Sequence, residues 1–389
     1  MVSTSLAVLL TVANFLSWGH WPVFAKFAQA PTQPFGVVMV AIQTLAACLF
    51  CLATPGFVDA LIDDSKHPGA VLAVFIGGAA LAVGDFSAAA AVERLGIAVG
   101  GPICFSCMLL TGAIGDFLLE GSAHPMLFFC GVALCMCAVV SDSQSHPHRS
   151  ADSSLASADS AAATAAAALE AAPAAAELKV IAPTVPTDAV LSMERPVGGN
   201  GDGDGVAGKQ REQSSSHASR ASSRQFRMGM AVAVGGGVVG GMWTVLSTAA
   251  SHAYGELHPL VLLWWFHLGE AAFIVPVVLA YGWLFATGTT TLSALRGAVR
   301  ALRPRQLAWT SMAGLAIAVG YGCYFATKGT VPRPVSYAFG CSAGTSTGVV
   351  WGLLFFREYE GATWRKTALL LLALALYPTS IAAIALSMK

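Results

Sequence analysis

The chain has 389 residues and no formal net charge, because 21 Lys and Arg balance 21 Asp and Glu. Hydrophobic residues make up 56% of it and charged residues only 11%, whereas a soluble domain typically carries about 25% charged residues. This composition excludes an ordinary soluble enzyme, and the lack of a basic excess predicts that nucleic acid is not a partner.

Ten apolar segments have about the 20 residues that a helix needs to span a bilayer. We expect transmembrane helices at 5–27, 36–57, 69–92, 96–119, 125–140, 228–251, 260–285, 307–327, 335–356 and 367–388. The sequence therefore predicts an all-α membrane protein with ten transmembrane helices.

A polar segment separates the first five helices from the last five. Residues 141–227 are rich in Ser, Ala, Gly and Pro, a composition that buries too little apolar surface to fold alone. We predict a disordered linker between a first repeat, 1–140, and a second repeat, 228–389. Most Lys and Arg residues fall on the linker's side of the predicted helices, so the positive-inside rule predicts a cytoplasmic linker. We expect the chain to be an integral, multi-pass protein of the plasma membrane.

Three short motifs recur in the same order in the two halves. They are Gly19-His-Trp21 with Gly241-Met-Trp243, Gly78-Ala-Ala-Leu-Ala-Val-Gly84 with Gly314-Leu-Ala-Ile-Ala-Val-Gly320, and Gly115-Asp-Phe-Leu-Leu-Glu120 with Gly352-Leu-Leu-Phe-Phe-Arg-Glu358. Collinear matches of this kind indicate an internal duplication. Because each half has an odd number of spans, the two five-helix repeats must be inverted relative to each other, as in many secondary transporters.

Three of these regions carry a resemblance to a known family. Gly19-His-Trp-Pro22, Gly77-Gly-Ala-Ala-Leu-Ala-Val-Gly-Asp85 and Trp351-Gly-Leu-Leu-Phe-Phe-Arg-Glu-Tyr359 together resemble ureide permeases, which are ten-span members of the drug/metabolite transporter superfamily. The resemblance implies import of allantoin, uracil or related nitrogenous heterocycles, coupled to protons. Two alternatives are a sugar or nucleotide-sugar transporter of the same superfamily and a channel-like membrane protein.

Three side chains are candidates for binding the substrate. Asp85 and Tyr321 follow the repeated small-residue motif at equivalent places, so we expect them to flank one cavity between the halves. Trp21 lies beside Pro22, which breaks a helix and frees backbone groups, and its ring could stack on a flat heterocycle. The alternative for Asp85 is an interfacial ion pair, and for Trp21 a simple interfacial anchor.

Glu270 and His267 are the candidates for proton coupling. They are three residues apart and therefore share one face of a helix. Glu270 lies near the middle of its predicted span, where ionisable groups usually serve function. The alternative is a His–Glu pair that only fixes helix packing.

No motif of a catalytic or metal-binding site is present in a suitable context. The nine Cys residues lie mostly in apolar runs without zinc-ligand spacing, and no Ser/His/Asp set or paired catalytic carboxylates stand out. We therefore expect no enzyme activity, cofactor or metal. The expected partners are a small-molecule substrate, protons and the lipid bilayer.

Overall fold

The computed structural model describes residues 3–121, 124–145, 204–255, 257–285, 290–327, 330–331 and 333–387. Its regular elements over these ranges are twelve α-helices. They are α1 (Thr4–Ala28), α2 (Thr32–Ala53), α3 (Phe57–Asp64), α4 (Pro68–Leu95), α5 (Gly100–Glu120), α6 (Pro125–Ser145), α7 (Asp204–Tyr254), α8 (Pro259–Leu284), α9 (Leu292–Arg300), α10 (Pro304–Ala326), α11 (Arg333–Leu354) and α12 (Trp364–Ser387).

Within the described ranges, nine helices are long and apolar enough to cross a membrane, including the part Gln225–Tyr254 of α7. This confirms an all-α, multi-pass membrane protein. The count of ten is not confirmed. The predicted span 335–356 coincides with α11, which has 22 residues, but its many Gly, Ser and Thr residues leave it outside the nine. The short helices α3 and α9 connect longer ones.

The ends of the predicted linker differ from the structure. Helix α6 continues to Ser145 and α7 begins at Asp204, so both ends of the segment 141–227 are helical. The stretch 204–227 contains no Pro and many residues with adequate helix propensity, which is why it can continue the helix that follows. The predicted disorder of residues 146–203 lies outside the described residues.

The helical body comprises the described residues up to 145 and from 225 onward. Its contacts follow the internal duplication, in which α1, α2, α4, α5 and α6 correspond to α7, α8, α10, α11 and α12. Helix α4 packs against α8, and its counterpart α10 packs against α2. Helices α5 and α6 are neighbours, as are α11 and α12. In addition, α2 packs against its own counterpart α8, α5 against α11, and α6 against α12. Two repeats related by a pseudo-two-fold axis produce this pattern.

Repeated glycines bring the two halves into backbone contact. A Cβ on Gly78 of α4 would collide with the carbonyl oxygen of Phe266 in α8. A Cβ on the repeated Gly314 of α10 would lie 2.5 Å from the carbonyl oxygen of Met39 in α2. Small residues permit such close helix crossings in membranes. The paired contacts place Phe266 and Met39 at corresponding positions of the two repeats.

A second glycine pair fixes the crossings one and a half turns further along. A Cβ on Gly84 of α4 would lie 2.8 Å from the Cα of Gly240 in α7, and one on Gly320 of α10 would collide with the indole of Trp18 in α1. These contacts hold the following residues, Asp85 and Tyr321, at the interface between the halves.

Candidate functional site

The centre of the interface is a group of aromatic rings around Tyr321, which is fully buried. We call it the central aromatic cluster. Measured from the Tyr321 ring, the centroid distances are 4.8 Å to Trp18, 4.9 Å to Phe266 and 5.8 Å to Trp243. All three rings meet Tyr321 edge to face, an arrangement that aromatic quadrupoles favour. Rings from α1, α7, α8 and α10 therefore meet in one place.

His267 and Glu270 lie directly beside this cluster. The imidazole is 5.5 Å from the Tyr321 ring, centroid to centroid. Its Nδ1 lies 3.2 Å from Glu270 Oε2, and both side chains are fully buried. The other polar atoms of the pair, His267 Nε2 and Glu270 Oε1, have no hydrogen-bond partner among the described residues. The sequence-predicted pair thus exists and has one free polar atom on each side chain.

Two further polar side chains approach Glu270 from the first repeat. Gln43 of α2 and Asp85 of α4 both lie close enough to Glu270 for electrostatic interaction with its carboxylate. Gln43 holds the position in α2 that corresponds to Glu270 in α8, because Met39 corresponds to Phe266. Asp85 and Tyr321 correspond in the same way. The two pairs of counterparts therefore surround the pseudo-two-fold axis.

Unpaired polar atoms are concentrated at this place. Buried polar groups in folded proteins are nearly always hydrogen-bonded, yet several here have atoms without a partner in the described part of the chain. They belong to Asn14, Trp18, Gln43, Asp85, Trp243, His267, Glu270 and Tyr321, which we call the central polar cluster. Such a set of unused donors and acceptors can form hydrogen bonds with a polar ligand.

The structure places one predicted residue apart from the others. Trp21 is buried, but its ring packs edge to face against Phe105 at 6.0 Å. Trp18, about one turn earlier in α1, occupies the place next to Tyr321 instead. The motif counterpart of Trp21, Trp243, does lie in the central aromatic cluster.

A cavity leads toward each face of the helical body. We call the surface that carries Ser145 and Gln225 the linker face. The cavity on that face has a volume of about 460 Å³, whereas the cavity on the opposite face has about 20 Å³. The larger one is lined by residues including Ala25, Lys26, Gln29, Phe35 and Ala89, and the smaller one by residues including Ser247, Thr248, Ser251, Leu262 and Phe325.

The five residues named for the larger cavity correspond, position by position, to the five named for the smaller one under the alignment of the repeated motifs. Parts of the two repeats that correspond to each other therefore line a cavity near each face.

Comparison with known proteins decides the family. A family model described as ureide permease matches residues 34–389. The chain belongs to the ureide permease family. Membership in this transporter family, with the apolar helices, identifies an integral, multi-pass membrane transporter. No curated protein and no solved structure matches the chain.

In this ureide permease, one carboxylate ties together several elements at the linker face. Glu358, just after α11, lies 2.8 Å from Lys26 Nζ in α1. It also accepts hydrogen bonds from the backbone N–H groups of Ile97 and Ala98, at 3.1 and 3.0 Å, in the connection between α4 and α5. On the opposite face, the hydroxyl of Thr248, the counterpart of Lys26, donates to Asp116 Oδ1 at 2.9 Å. The Lys26–Glu358 and Thr248–Asp116 contacts each join the first helix of one repeat to the other repeat. The partner lies in the fourth helix of that repeat or just after it.

Two residues of the central polar cluster, and one buried residue outside it, were missed from sequence. Asn14 and Gln43 lie in apolar helices, and a polar side chain at such a depth is itself a functional signal.

Asp142 was assigned to the linker, but it is fully buried between α6 and α12 and accepts a hydrogen bond from Tyr377 at 3.4 Å. Nearby, burial raises the pKa of Tyr359, whose hydroxyl lies 2.8 Å from Ser145 Oγ.

Proposed function

We propose that this chain is a secondary active transporter that imports small polar nitrogenous heterocycles, such as allantoin or uracil, across the plasma membrane together with protons. The observation that supports this most is the concentration of unpaired polar atoms beside the central aromatic cluster. Rings alone would suit any apolar ligand, and polar groups alone would suit any ion. Together they suit a flat, polar molecule.

The proposed mode of recognition matches the chemistry of a cyclic ureide. Such a ring carries N–H and C=O groups in alternation around its edge. Trp18 and Trp243 have indole N–H donors without partners, Asp85 has an unpaired carboxylate oxygen, and Gln43 offers both a donor and an acceptor. Tyr321 adds a hydroxyl that can serve in either role. Trp21 stays a predicted substrate contact that would need a shift of its ring from Phe105.

Proton coupling is assigned to Glu270, with His267 adjusting the exchange. The site contains two carboxyl groups, Asp85 and Glu270, and no Lys or Arg of the described ranges forms an ion pair with either. Charged groups inside a membrane are costly unless they are compensated. A proton that travels with the substrate would supply this compensation at Glu270, whose Oε1 is free to receive it.

The two cavities support an alternating-access cycle. They are built from corresponding parts of the repeats, as expected when two inverted repeats open a central site to each face in turn. The wide cavity on the linker face and the narrow one opposite describe a state in which the linker face is the more open. We propose that this face is cytoplasmic.

The decisive experiment is uptake into proteoliposomes of the purified full-length protein. A panel of labelled allantoin, uracil, sugars and nucleotide-sugars is tested with and without an inward proton gradient. We expect saturable accumulation of a heterocycle that depends on the gradient. Accumulation of sugars alone would favour the sugar transporter, and linear, non-saturating flux would favour a channel.

The same assay tests the role of Glu270. Because Glu270→Gln keeps the size and hydrogen bonding of the side chain but cannot take up a proton, it should lose gradient-driven accumulation while retaining substrate exchange. Glu360→Gln, which changes an exposed carboxylate at the linker face, is the matched control and should behave like the wild type. Wild-type pH dependence in Glu270→Gln would make Glu270 a packing residue and leave Asp85 as the coupling candidate.

A further inference from the structure

Four arginines are grouped in and just after the short helix α9. Arg296, Arg300, Arg303 and Arg305 all have exposed side chains. No acidic side chain of the described residues forms an ion pair with any of them. Four unpaired guanidinium groups within ten residues produce a strong local positive potential, which attracts an anionic partner.

Helix α9 has one apolar side that fastens it to the helical body. Leu295 is buried, and Val299 packs against the core, while Leu292 at the start of the same side is 63% exposed. The helix contacts α2. Arg296 and Arg300 follow one another at a spacing of four residues and therefore form a stripe along the neighbouring side. Because the apolar side packs against the helical body, the exposed arginine side of α9 is left facing away from the body.

The neighbouring elements place α9 at the level of the lipid headgroups. It lies between the linker-face end of α8 and the beginning of α10. Trp283, near the end of α8, is 75% exposed, and Trp364, at the start of α12 on the same face, is 77% exposed. Exposed tryptophans in a transmembrane protein mark the membrane–water interface. An anion at the same depth is therefore most simply the phosphate of a phospholipid.

We propose that α9, together with Arg303 and Arg305, is a binding site for the headgroup of an anionic phospholipid. Guanidinium groups bind phosphate oxygens in a bidentate fashion, and the exposed Leu292 and Leu307 provide apolar surface for the acyl chains. Arg305 also lines the linker-face cavity, so the bound headgroup lies at the mouth of this cavity. This site does not depend on which substrate the protein carries.

The test measures lipid binding to the purified full-length protein in a neutral detergent, after phosphatase treatment. Phosphatidylserine, phosphatidylcholine and inorganic phosphate are each titrated, with native mass spectrometry and thermal unfolding as readouts. The variant changes all four arginines to Gln, and the control changes Arg357, Arg365 and Lys366 on the same face to Gln. Because each arginine near an anionic lipid strengthens binding several-fold, we expect the fourfold variant to bind phosphatidylserine at least about a hundredfold more weakly.

The control variant should keep its affinity for phosphatidylserine within about threefold, and added salt should weaken wild-type binding. Equal binding of phosphatidylcholine, an unchanged affinity in the fourfold variant, or an equal loss in the control would overturn the proposal. If inorganic phosphate binds and raises the unfolding temperature as much as phosphatidylserine does, the site binds a free anion instead of a lipid headgroup. Since the four side chains are exposed, the variant should unfold at the wild-type temperature without lipid. If it does not fold, the double variant Arg300→Gln/Arg303→Gln takes its place, with an expected loss of at least tenfold.

Discussion

Tyr321 combines full burial with a hydroxyl that no described residue uses. A buried hydroxyl without a partner has given up its hydrogen bonds to water without replacement, so its removal should leave stability unchanged or raise it. If the substrate is what satisfies it, its removal should weaken substrate binding by the value of one hydrogen bond, about 1 kcal/mol.

We therefore expect Tyr321→Phe to raise KM for the proposed heterocyclic substrate by roughly fivefold to tenfold and to leave the unfolding temperature unchanged or higher. Tyr337→Phe is the matched control. Its hydroxyl donates to the carbonyl oxygen of Met108 at 3.0 Å, so this variant should lose stability by about 1 kcal/mol and keep its KM. The reverse pattern in the two variants would show that Tyr321 is only a packing residue.

A polar group that interrupts an apolar helix was a useful signal for single residues, although it was applied incompletely. It singled out Asp85, Glu270 and His267 but not Asn14 or Gln43, and the repeated motif singled out Tyr321. Trp21 and Trp18 could not be distinguished, because both are aromatic residues of one helix and only the packing of α1 against α10 decides which ring meets Tyr321. Gln43 could have been found by aligning α2 with α8, but those helices share no repeated motif.

At the scale of helices, the glycines of the repeated motif determine how closely α4 and α8 approach. A methyl group at Gly78 would collide with the carbonyl oxygen of Phe266, and the backbone nitrogen of Glu270 lies 2.9 Å from the same point. The helices can relieve this collision only by moving apart, which would shift Glu270 relative to Asp85.

We expect Gly78→Ala to lower the free energy of unfolding by about 1–3 kcal/mol, as overpacking does, and to reduce transport. Gly322→Ala, in α10, is the control because no atom lies within 4 Å of the position that its Cβ would take. It should be neutral or slightly stabilising, since Ala favours a helix over Gly. Thermal unfolding in detergent and uptake measure both effects. Equal stability of the two variants would contradict the proposed close crossing.

Glu358 connects elements that are distant in sequence. Its carboxylate has 16% side-chain exposure and binds both the Lys26 ammonium group and two backbone N–H groups. Hydrogen bonds to a charged group are worth more than neutral ones, about 1.5–3 kcal/mol. The end of α11, the end of α1 and the start of α5 are therefore held together by one side chain.

Glu358→Gln should lower the free energy of unfolding by about 2 kcal/mol, because an amide retains only one acceptor oxygen and carries no charge for Lys26. Lys26→Met should have a smaller effect, since it leaves the two backbone hydrogen bonds in place. Comparing the two unfolding temperatures in the same detergent separates the ion pair from the backbone contacts. If both variants lose equally, the ion pair alone carries the stabilisation.

Helix positions were predictable because spans and their ends leave clear signals in the sequence. The predicted segments 5–27 and 36–57 lie close to α1 and α2, and Pro68 and Pro304 begin helices as proline commonly does. The ends of the linker were less predictable because Ser, Gln and Arg occur both in helices and in disordered segments. Side-chain contacts such as those of Glu358 could be identified only from the three-dimensional structure, since the partners are hundreds of residues apart in the sequence.

For the whole molecule, corresponding residues of the two repeats line a cavity on each face, but the two cavities differ in volume. Ala25 lines the wide linker-face cavity, and its counterpart Ser247 lines the narrow cavity opposite. If the two halves move to open the faces alternately, exposure at one position should rise when exposure at the other falls. We predict that the Thr248–Asp116 hydrogen bond, on the face opposite the linker, biases this equilibrium.

In a background without the nine native cysteines, Ala25→Cys should react with a water-soluble thiol reagent at least tenfold faster than Ser247→Cys. Adding Thr248→Val removes the hydroxyl that donates to Asp116, so it should raise the reaction rate at residue 247 and lower the rate at residue 25. Thr310→Val is the control, because Thr310 donates to the backbone of its own helix, to the carbonyl of Gln306, and should change neither rate. A rise at both positions would indicate general loosening of the fold, and no change at either would show that the Thr248–Asp116 hydrogen bond does not control access.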